Sequence, residues 1–398
     1  EVLAMRHNLI LILAAVLAAT GCIYDFSAEL SDSDRRVVIE GDLMLGQIST
    51  VNISYVTAID NPGGRYVRRF GSAWVLAEDG TRYEGVNLTG THGNFSIDLR
   101  TAPDDTRYQL HVINADTGRE YSTDWLEVNR AAVIDELSYI PEEAKDRMAV
   151  GISLHSAGQR YFRWSYEEIW EYHSLYRTRY FYTPNDKLPK EERAQYPNGR
   201  VSLFDDGENT YYCWGRRKSS EILIFTTKEQ TEDRFEDLEF RTIPRSDARL
   251  SMLYYIKVYV STLSEDAYNY WKNIQTNSDY NGSLFAPNPS EMVGNIHSVS
   301  DAGEQVLGFI NVSRTAVAEL FIDNDETQFY RSEEKSDYEP ETCENEAHWP
   351  YLYGQGKLPL ELVSSYPRQY SWINRSCVDC RVAGGTKDKP DFWPNDHK

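Results

Sequence analysis

Short alternating segments, separated by turn residues, constrain the fold of this chain more than any other feature. Residues 51–55 read Val-Asn-Ile-Ser-Tyr, the period-two pattern of a strand with one buried face. Asp79-Gly80 is a dipeptide that favours a tight hairpin turn. Similar strand-like segments follow at 73–77, 94–99, 108–113 and 120–125. The series predicts an immunoglobulin-like β-sandwich over residues 37–130.

The remainder of the chain is also rich in β-branched and aromatic segments. Ile134–Leu137 and Pro141 mark a junction, and residues 175–200 have the polar, proline-containing composition of a long loop. Ser264 is a suitable N-cap for one helix that runs to about Gln275. Further candidate strands lie at 150–155, 222–227, 253–262 and 306–313. We therefore predict a mainly β protein in which the sandwich precedes a larger β-rich domain, residues 131–398, with one or two helices.

The start of the chain resembles an export signal. Arg6 precedes an apolar run from Leu9 to Ala18, which is too short to span a bilayer and fits the apolar region of a signal peptide. Ala19-Thr20-Gly21-Cys22 then places small residues before a cysteine, as in lipoprotein signals. We predict a signal peptide at 1–21, a lipid on Cys22 and a polar tether at 22–36. The alternative is an ordinary secretory signal beside a chance cysteine.

Charge and composition limit the partners. The formal net charge of the chain is −21, and an acidic surface repels phosphate backbones, so nucleic acid is excluded as a partner. Aromatic residues reach 13%, with 28 tyrosines and 9 tryptophans. This composition suits β-sheets and also surfaces that bind ligands by stacking.

Four cysteines remain beyond Cys22, namely Cys213, Cys343, Cys377 and Cys380. An even number in an exported protein favours disulfides, for which three connectivities can be drawn. The pair Cys377 and Cys380 also has the spacing of a redox motif or of half a zinc site. However, no thioredoxin-like context surrounds it, and the other two cysteines form no second close pair. We expect disulfides that join the C-terminal tail to the body.

Two acidic groupings invite a chemical interpretation. Glu167 and Glu168 lie among aromatic residues, where a desolvated carboxyl can serve as the acid of a glycosidase. Adjacent strand residues face opposite ways, so the two cannot act as a pair, and an exposed strand with a polar edge is favoured. Residues 323–334 have the acid spacing of a calcium loop, but Gln328 occupies the place of the glycine. We predict no catalytic residue, metal or cofactor.

Several pieces of the chain together resemble a known family. They are Val38-Ile-Glu-Gly41, Tyr161-Phe-Arg-Trp164 with Glu168 and Trp170, Tyr212-Cys213-Trp214, Gly282-Ser-Leu-Phe285, Gly294-Asn-Ile296, and Cys377-Val-Asp-Cys380-Arg with Gly384-Gly-Thr386. The resemblance is to lipoproteins of Bacteroidota known as domain of unknown function 4249.

The resemblance implies a function in nutrient uptake. Such proteins are similar in context to accessory lipoproteins of TonB-dependent outer-membrane transporters. We therefore expect a non-enzymatic, lipid-anchored protein of the outer membrane, exposed at the cell surface, that binds a glycan or peptide ligand or docks on a transporter. A surface hydrolase and a structural envelope lipoprotein are the two alternatives.

Overall fold

The chain folds mainly into β-strands, as its sequence predicts. The computed structural model describes residues 36–55, 70–88, 93–115, 117–204, 210–279, 294–331, 341–343 and 346–395. The predicted signal peptide and Cys22 lie outside the described residues. Within these ranges no helix is both long and apolar enough to cross a membrane.

The regular elements are numbered along the chain. The strands are β1 (Val37–Leu45), β2 (Ile48–Tyr55), β3 (Phe70–Ala77), β4 (Arg82–Asn87), β5 (Asn94–Asp98), β6 (Tyr108–Asn114), β7 (Glu120–Thr123), β8 (Val133–Glu142), β9 (Arg147–His155), β10 (Tyr161–His173), β11 (Tyr180–Thr183), β12 (Arg200–Leu203), β13 (Tyr212–Lys218), β14 (Leu223–Thr226), β15 (Arg234–Pro244), β16 (Leu253–Thr262), β17 (Ile296–Ser298), β18 (Val306–Leu307), β19 (Ile310–Arg314), β20 (Ala316–Asp323), β21 (Glu341–Cys343), β22 (Lys357–Ser365) and β23 (Arg368–Asn374). The α-helices are α1 (Glu265–Asp279), α2 (Asn324–Thr327) and α3 (Trp349–Gly354). Short 3-10 turns occur at Glu143–Lys145, Asn185–Lys187, Ala248–Leu250, Glu346–His348, Arg375–Cys377 and Cys380–Ala383.

A single twisted sheet forms the first unit. Its strand order is β17-β7-β6-β3-β4-β5-β2-β1-β18, with β19 also paired to β1. Because β4 pairs with both β3 and β5, the two halves of the predicted sandwich are continuous. Alternate residues of the strands point inward and form one core, which includes Ile39, Leu43, Val51, Phe95, Ile97 and Val312.

Strands from late in the chain complete this first unit. β17 pairs with β7, while β18 and β19 run parallel to β1. Residues 296–314, which the predicted boundary assigns to the second domain, thus belong to the first sheet. Gly308 divides the single strand expected at 306–313. It has a φ of +117°, and a Cβ there would collide with the carbonyl of Ile39.

The second unit is a sandwich of two further sheets. One sheet has the order β13-β10-β16-β20, with β14 also on β10, and the other has the order β15-β9-β8. Their facing side chains form a second core, which includes Val150, Ile152, Phe162, Trp164, Ile256 and Val258. The segment predicted as a junction is the strand β8, and it accommodates Pro141 because it is an edge strand, paired only with β9.

Two local predictions between residues 175 and 279 have different outcomes. The long loop predicted at 175–200 instead contains β11 and the first residue of β12, which pair as an antiparallel hairpin. The predicted helix is confirmed as α1. The hydroxyl of Ser264 accepts a hydrogen bond from the amide of Ala267 at 3.2 Å, as expected of an N-cap.

The C-terminal tail lies on the central sheet of the second unit. A disulfide joins Cys380 to Cys213 of β13. The amides and carbonyls of Trp214 and Thr386 exchange two hydrogen bonds of 2.9 Å. Since Cys380 is bonded to Cys213 rather than to Cys377, the redox and zinc interpretations of the C-x-x-C pair are wrong. Cys377 is buried, and the side chain of Cys343 lies outside the described residues.

Asp379, beside the disulfide, is a buried carboxylate with two arginine partners. Its oxygens accept hydrogen bonds from Nε of Arg381 at 2.8 Å and Nε of Arg375 at 3.0 Å. Burial raises the pKa of this carboxyl, but the bonds from Arg381 and Arg375 lower it by more, so its pKa lies below the ordinary value.

We expect Asp379→Asn to weaken the dependence of stability on acid pH. A carboxylate with a lowered folded-state pKa stabilises the fold above its unfolded pKa of about 3.9, and this contribution disappears as the pH falls through the folded value. The free energy of unfolding, measured by urea titration from about pH 5 to about pH 2, should therefore fall less steeply in the variant. If the free energy of unfolding fell equally with pH in the variant and the wild type, the lowered pKa of Asp379 would be contradicted.

Candidate functional site

Glu168 lies at the centre of a buried polar network. Its side chain has an exposed fraction of 0%, so the prediction of an exposed polar edge is wrong for this residue. β10 is an interior strand, paired with β16 on one side and with β13 and β14 on the other. The carboxylate accepts hydrogen bonds from Arg241 Nε at 2.9 Å, Arg249 Nη1 at 3.2 Å and the Tyr254 hydroxyl at 2.7 Å.

This network leaves Glu168 poorly suited to acid catalysis. Two guanidinium groups and a hydroxyl all donate hydrogen bonds to it, so its oxygens are already occupied by protein donors. Burial raises the pKa of Tyr254 well above its ordinary value, and the negative charge of Glu168 raises it further. Glu167 faces the other way and pairs with Lys218 at 2.7 Å, so the two glutamates do not form a catalytic pair.

The acidic segment from residue 323 forms a helix cap in its described part. The side chain of Asp323 accepts a hydrogen bond from the amide of Asp325 at 2.7 Å and so caps α2. Gln328 follows in a left-handed conformation, and residues 332–340 lie outside the described part. Among the described residues no group of three His, Cys, Asp or Glu side chains is arranged to hold a metal ion.

A cleft of about 760 Å³ lies where the first unit meets the second. Three elements line it: the linker that follows β7, the first turns of α1, and the region around β19. The lining side chains combine aromatic rings, amides and carboxylates. They are Asp124, Trp125, Leu126, Glu127, Asn129, Ser264, Asp266, Asn269, Tyr270, Asn273, Asn295, Phe309, Ile310, Asn311 and Val312, together with Gly294.

The linker that follows β7 forms one wall of the cleft. Its side chains alternate in direction, as they would in a strand. Leu126 exchanges two backbone hydrogen bonds with Tyr108, and Leu126 and Val128 pack against the core of the first unit. Trp125 and Glu127 lie between these anchored positions and remain exposed. Trp125 is 38% exposed, whereas the described aromatic residues Tyr270 and Phe309 of the lining are buried.

One face of α1 forms the second wall. Asp266, Asn269, Tyr270 and Asn273 follow the spacing of neighbours on a helix surface. Ala267 and Trp271 of the same helix pack in a buried apolar cluster that also includes Tyr270 and Phe309, so this cluster supports the cleft from beneath. Asn269 and Asn273 are exposed, and among the described residues their amide groups have no hydrogen-bond partner, so both can bind a ligand.

Hydrogen-bonded amides fix the floor of the cleft. Asn129 donates to Asn311 at 3.0 Å, and Asn311 donates to the carbonyl of Thr262 at 3.0 Å. Asn295 donates to the carbonyl of Ile310 at 2.7 Å and accepts from the amide of the same residue at 2.9 Å. These bonds join β19 to the linker and to the end of β16, so the floor is preorganised.

The electrostatic character of the cleft is negative. Asp124, Glu127 and Asp266 contribute carboxylates, and none of the described lining residues is lysine, arginine or histidine. The cleft therefore disfavours anionic ligands. Its exposed amides and carboxylates offer hydrogen bonds, and its aromatic rings offer flat apolar surfaces.

The sequence alone did not identify this cleft. The sequence pattern predicts that Trp125 ends a strand, whereas β7 ends at Thr123. The available signal was the alternation of Trp125 and Glu127 with Leu126 and Val128, which predicts an aromatic and an acidic side chain on one face. The approach of α1 to that face is a tertiary contact that no local pattern encodes.

Comparison with known proteins identifies one related family. A family described as Domain of unknown function (DUF4249) matches residues 23–319. This range contains every residue that lines the cleft, but it ends before the C-terminal pieces around Cys377 and Cys380 that contribute to the resemblance. No curated protein matches the chain.

Proposed function

The chain belongs to the family Domain of unknown function (DUF4249), and from this premise we propose that it is a non-enzymatic binding lipoprotein of the outer membrane. In this proposal a lipid on Cys22 anchors it at the cell surface, where it serves a TonB-dependent nutrient transporter. The observation that carries the proposal is the cleft, in which an exposed aromatic residue and exposed amides surround a preorganised floor. Such combinations are typical of small-molecule binding sites.

The carboxylates of the cleft support binding rather than hydrolysis. The acid of a glycosidase is a carboxyl group held in a desolvated site that the substrate can reach. Asp124 keeps 74% of its side chain exposed, and Glu127 and Asp266 are also exposed. Glu168, the buried candidate, is enclosed by its arginine partners.

The order of segments along the chain supports the membrane anchor. The small residues before Cys22 follow an apolar segment of signal-peptide length. A polar stretch separates that cysteine from β1, which begins at Val37, and a stretch of this kind can hold a folded body away from a membrane.

We expect a TonB-dependent transporter to co-purify with the full-length protein. The tagged protein would be extracted from its native cells in mild detergent, and the proteins bound to it would be identified by mass spectrometry. If the folded body docks on the transporter, the two proteins should be recovered together in a fixed ratio. A protein that always elutes alone would refute the docking role.

Cys22→Ala provides the matched control for this experiment. The variant removes the lipid acceptor and leaves the folded body unchanged, so it should leave the membrane fraction while purified body added to membranes still captures the transporter. A wild-type protein that is not in the membrane fraction would refute the anchor.

A further inference from the structure

We infer that the cleft binds a neutral saccharide. The inference rests on the proposed ligand-binding function and specifies the class of ligand. It follows from three properties of the cleft: its size, the hydrogen-bonding groups that it presents, and the sign of its charge.

The size of the cleft suits a short oligosaccharide. Ligand sites typically range from about 300 to about 1,000 Å³, and this cleft has about 760 Å³. Trp125 lines the cleft and is partly exposed. The apolar C–H face of a pyranose can cover such a ring, which removes apolar surface from water on both partners.

The hydrogen-bonding groups match hydroxyls. A saccharide hydroxyl both donates and accepts, and the amides of Asn269 and Asn273 also do both. Carboxylates accept only, so Asp266 and Glu127 can take hydroxyl protons without requiring a charged ligand. These groups lie on two facing walls, α1 and the linker, so a ligand between them can contact both.

The charge of the cleft further limits the class of ligand that it can bind. Its three carboxylates, with no lysine, arginine or histidine among the described lining residues, oppose uronic acids, sulfated sugars and phosphates. Within the described part of the chain these carboxylates belong to no group of three His, Cys, Asp or Glu side chains that could hold a metal ion. The linker already uses backbone groups of Leu126 and Asn129 within the first unit, which limits the main-chain pairing that an extended peptide would need.

The test is a binding titration of the full mature protein, followed by tryptophan fluorescence and calorimetry. The neutral probes are maltotriose, cellotriose, xylotriose and mannotriose, and the charged probes are trigalacturonic acid and trilysine. We expect at least one neutral trisaccharide to bind and trigalacturonic acid not to bind. Trp125→Ala should raise the Kd of the bound trisaccharide about tenfold or more, the loss expected for a stacked aromatic contact.

Tyr366→Ala is the matched control, because Tyr366 is an aromatic residue outside the cleft that is 95% exposed. It should leave the Kd unchanged. Binding of trilysine alone, with loss in Trp125→Ala, would overturn the saccharide class but preserve ligand binding. Saccharide binding that Trp125→Ala does not weaken would overturn the assignment to this cleft. If no probe binds while the transporter co-purifies, the inference fails and the docking role stands.

Discussion

Glu168→Ala is expected to lower the free energy of unfolding by about 3 to 5 kcal/mol, the usual loss when one partner of a buried ion pair is removed. The substitution leaves the guanidinium groups of Arg241 and Arg249 without the carboxylate that they share. It also removes the acceptor of the Tyr254 hydroxyl. Urea unfolding followed by circular dichroism measures the loss as a lower midpoint.

Glu167→Ala is a closely matched control for this experiment. Glu167 precedes Glu168 on β10, but its side chain is 36% exposed and pairs with Lys218 on the surface. Exposed ion pairs of this kind contribute little, so a change below about 0.5 kcal/mol is expected. If the two variants were equally stable, the buried network would not contribute as the geometry indicates.

Sequence patterns predicted the strands well where the side chains of the strand meet a core. The strand predicted at 253–262 matches β16 at both ends, and the alternating residues 51–55 lie within β2. Both contain the period-two or β-branched signal that arises when side chains meet a core. The N-cap at Ser264 could likewise be predicted from the local sequence, because the amide that donates to its hydroxyl lies only three residues away.

Contacts between distant segments could not be predicted in the same way. Arg241 and Arg249 meet Glu168 from residues 73 and 81 positions later, and no pattern around Glu168 indicates them. The sequence therefore predicted that this glutamate is exposed to solvent, because a buried carboxylate is rare unless it is paired. The pairing of β19 with β1 is similarly nonlocal, so a segment predicted to belong to the second domain completes the sheet of the first unit.

The candidate site combines both kinds of information. Its linker wall follows from alternation and its helical wall from the spacing of Asp266, Asn269 and Asn273. Only the fold brings these two faces together around β19. The sequence therefore predicts which side chains share each wall, but it does not predict that the two walls meet to form a cleft.

The double substitution Cys213→Ala and Cys380→Ala is expected to lower the free energy of unfolding by about 2 to 5 kcal/mol. The bond joins residues separated by 167 positions, so its loss frees a long loop in the unfolded chain. Both cysteines are replaced because a remaining thiol could exchange with other cysteines of the chain. The midpoint of urea unfolding under non-reducing conditions measures the effect.

The native tail should remain docked in this variant, because noncovalent contacts also hold it. The Tyr172 hydroxyl donates to the carbonyl of residue 380 at 2.7 Å, and the indole of Trp393 donates to Glu171 at 2.9 Å. Limited proteolysis under native conditions should therefore cleave the tail of Trp393→Ala faster than that of the double variant. An unchanged unfolding midpoint in the double variant would mean that the disulfide adds nothing to these contacts. Rapid cleavage of its tail would instead mean that the bond acts in the folded state, by holding the tail against the sheet.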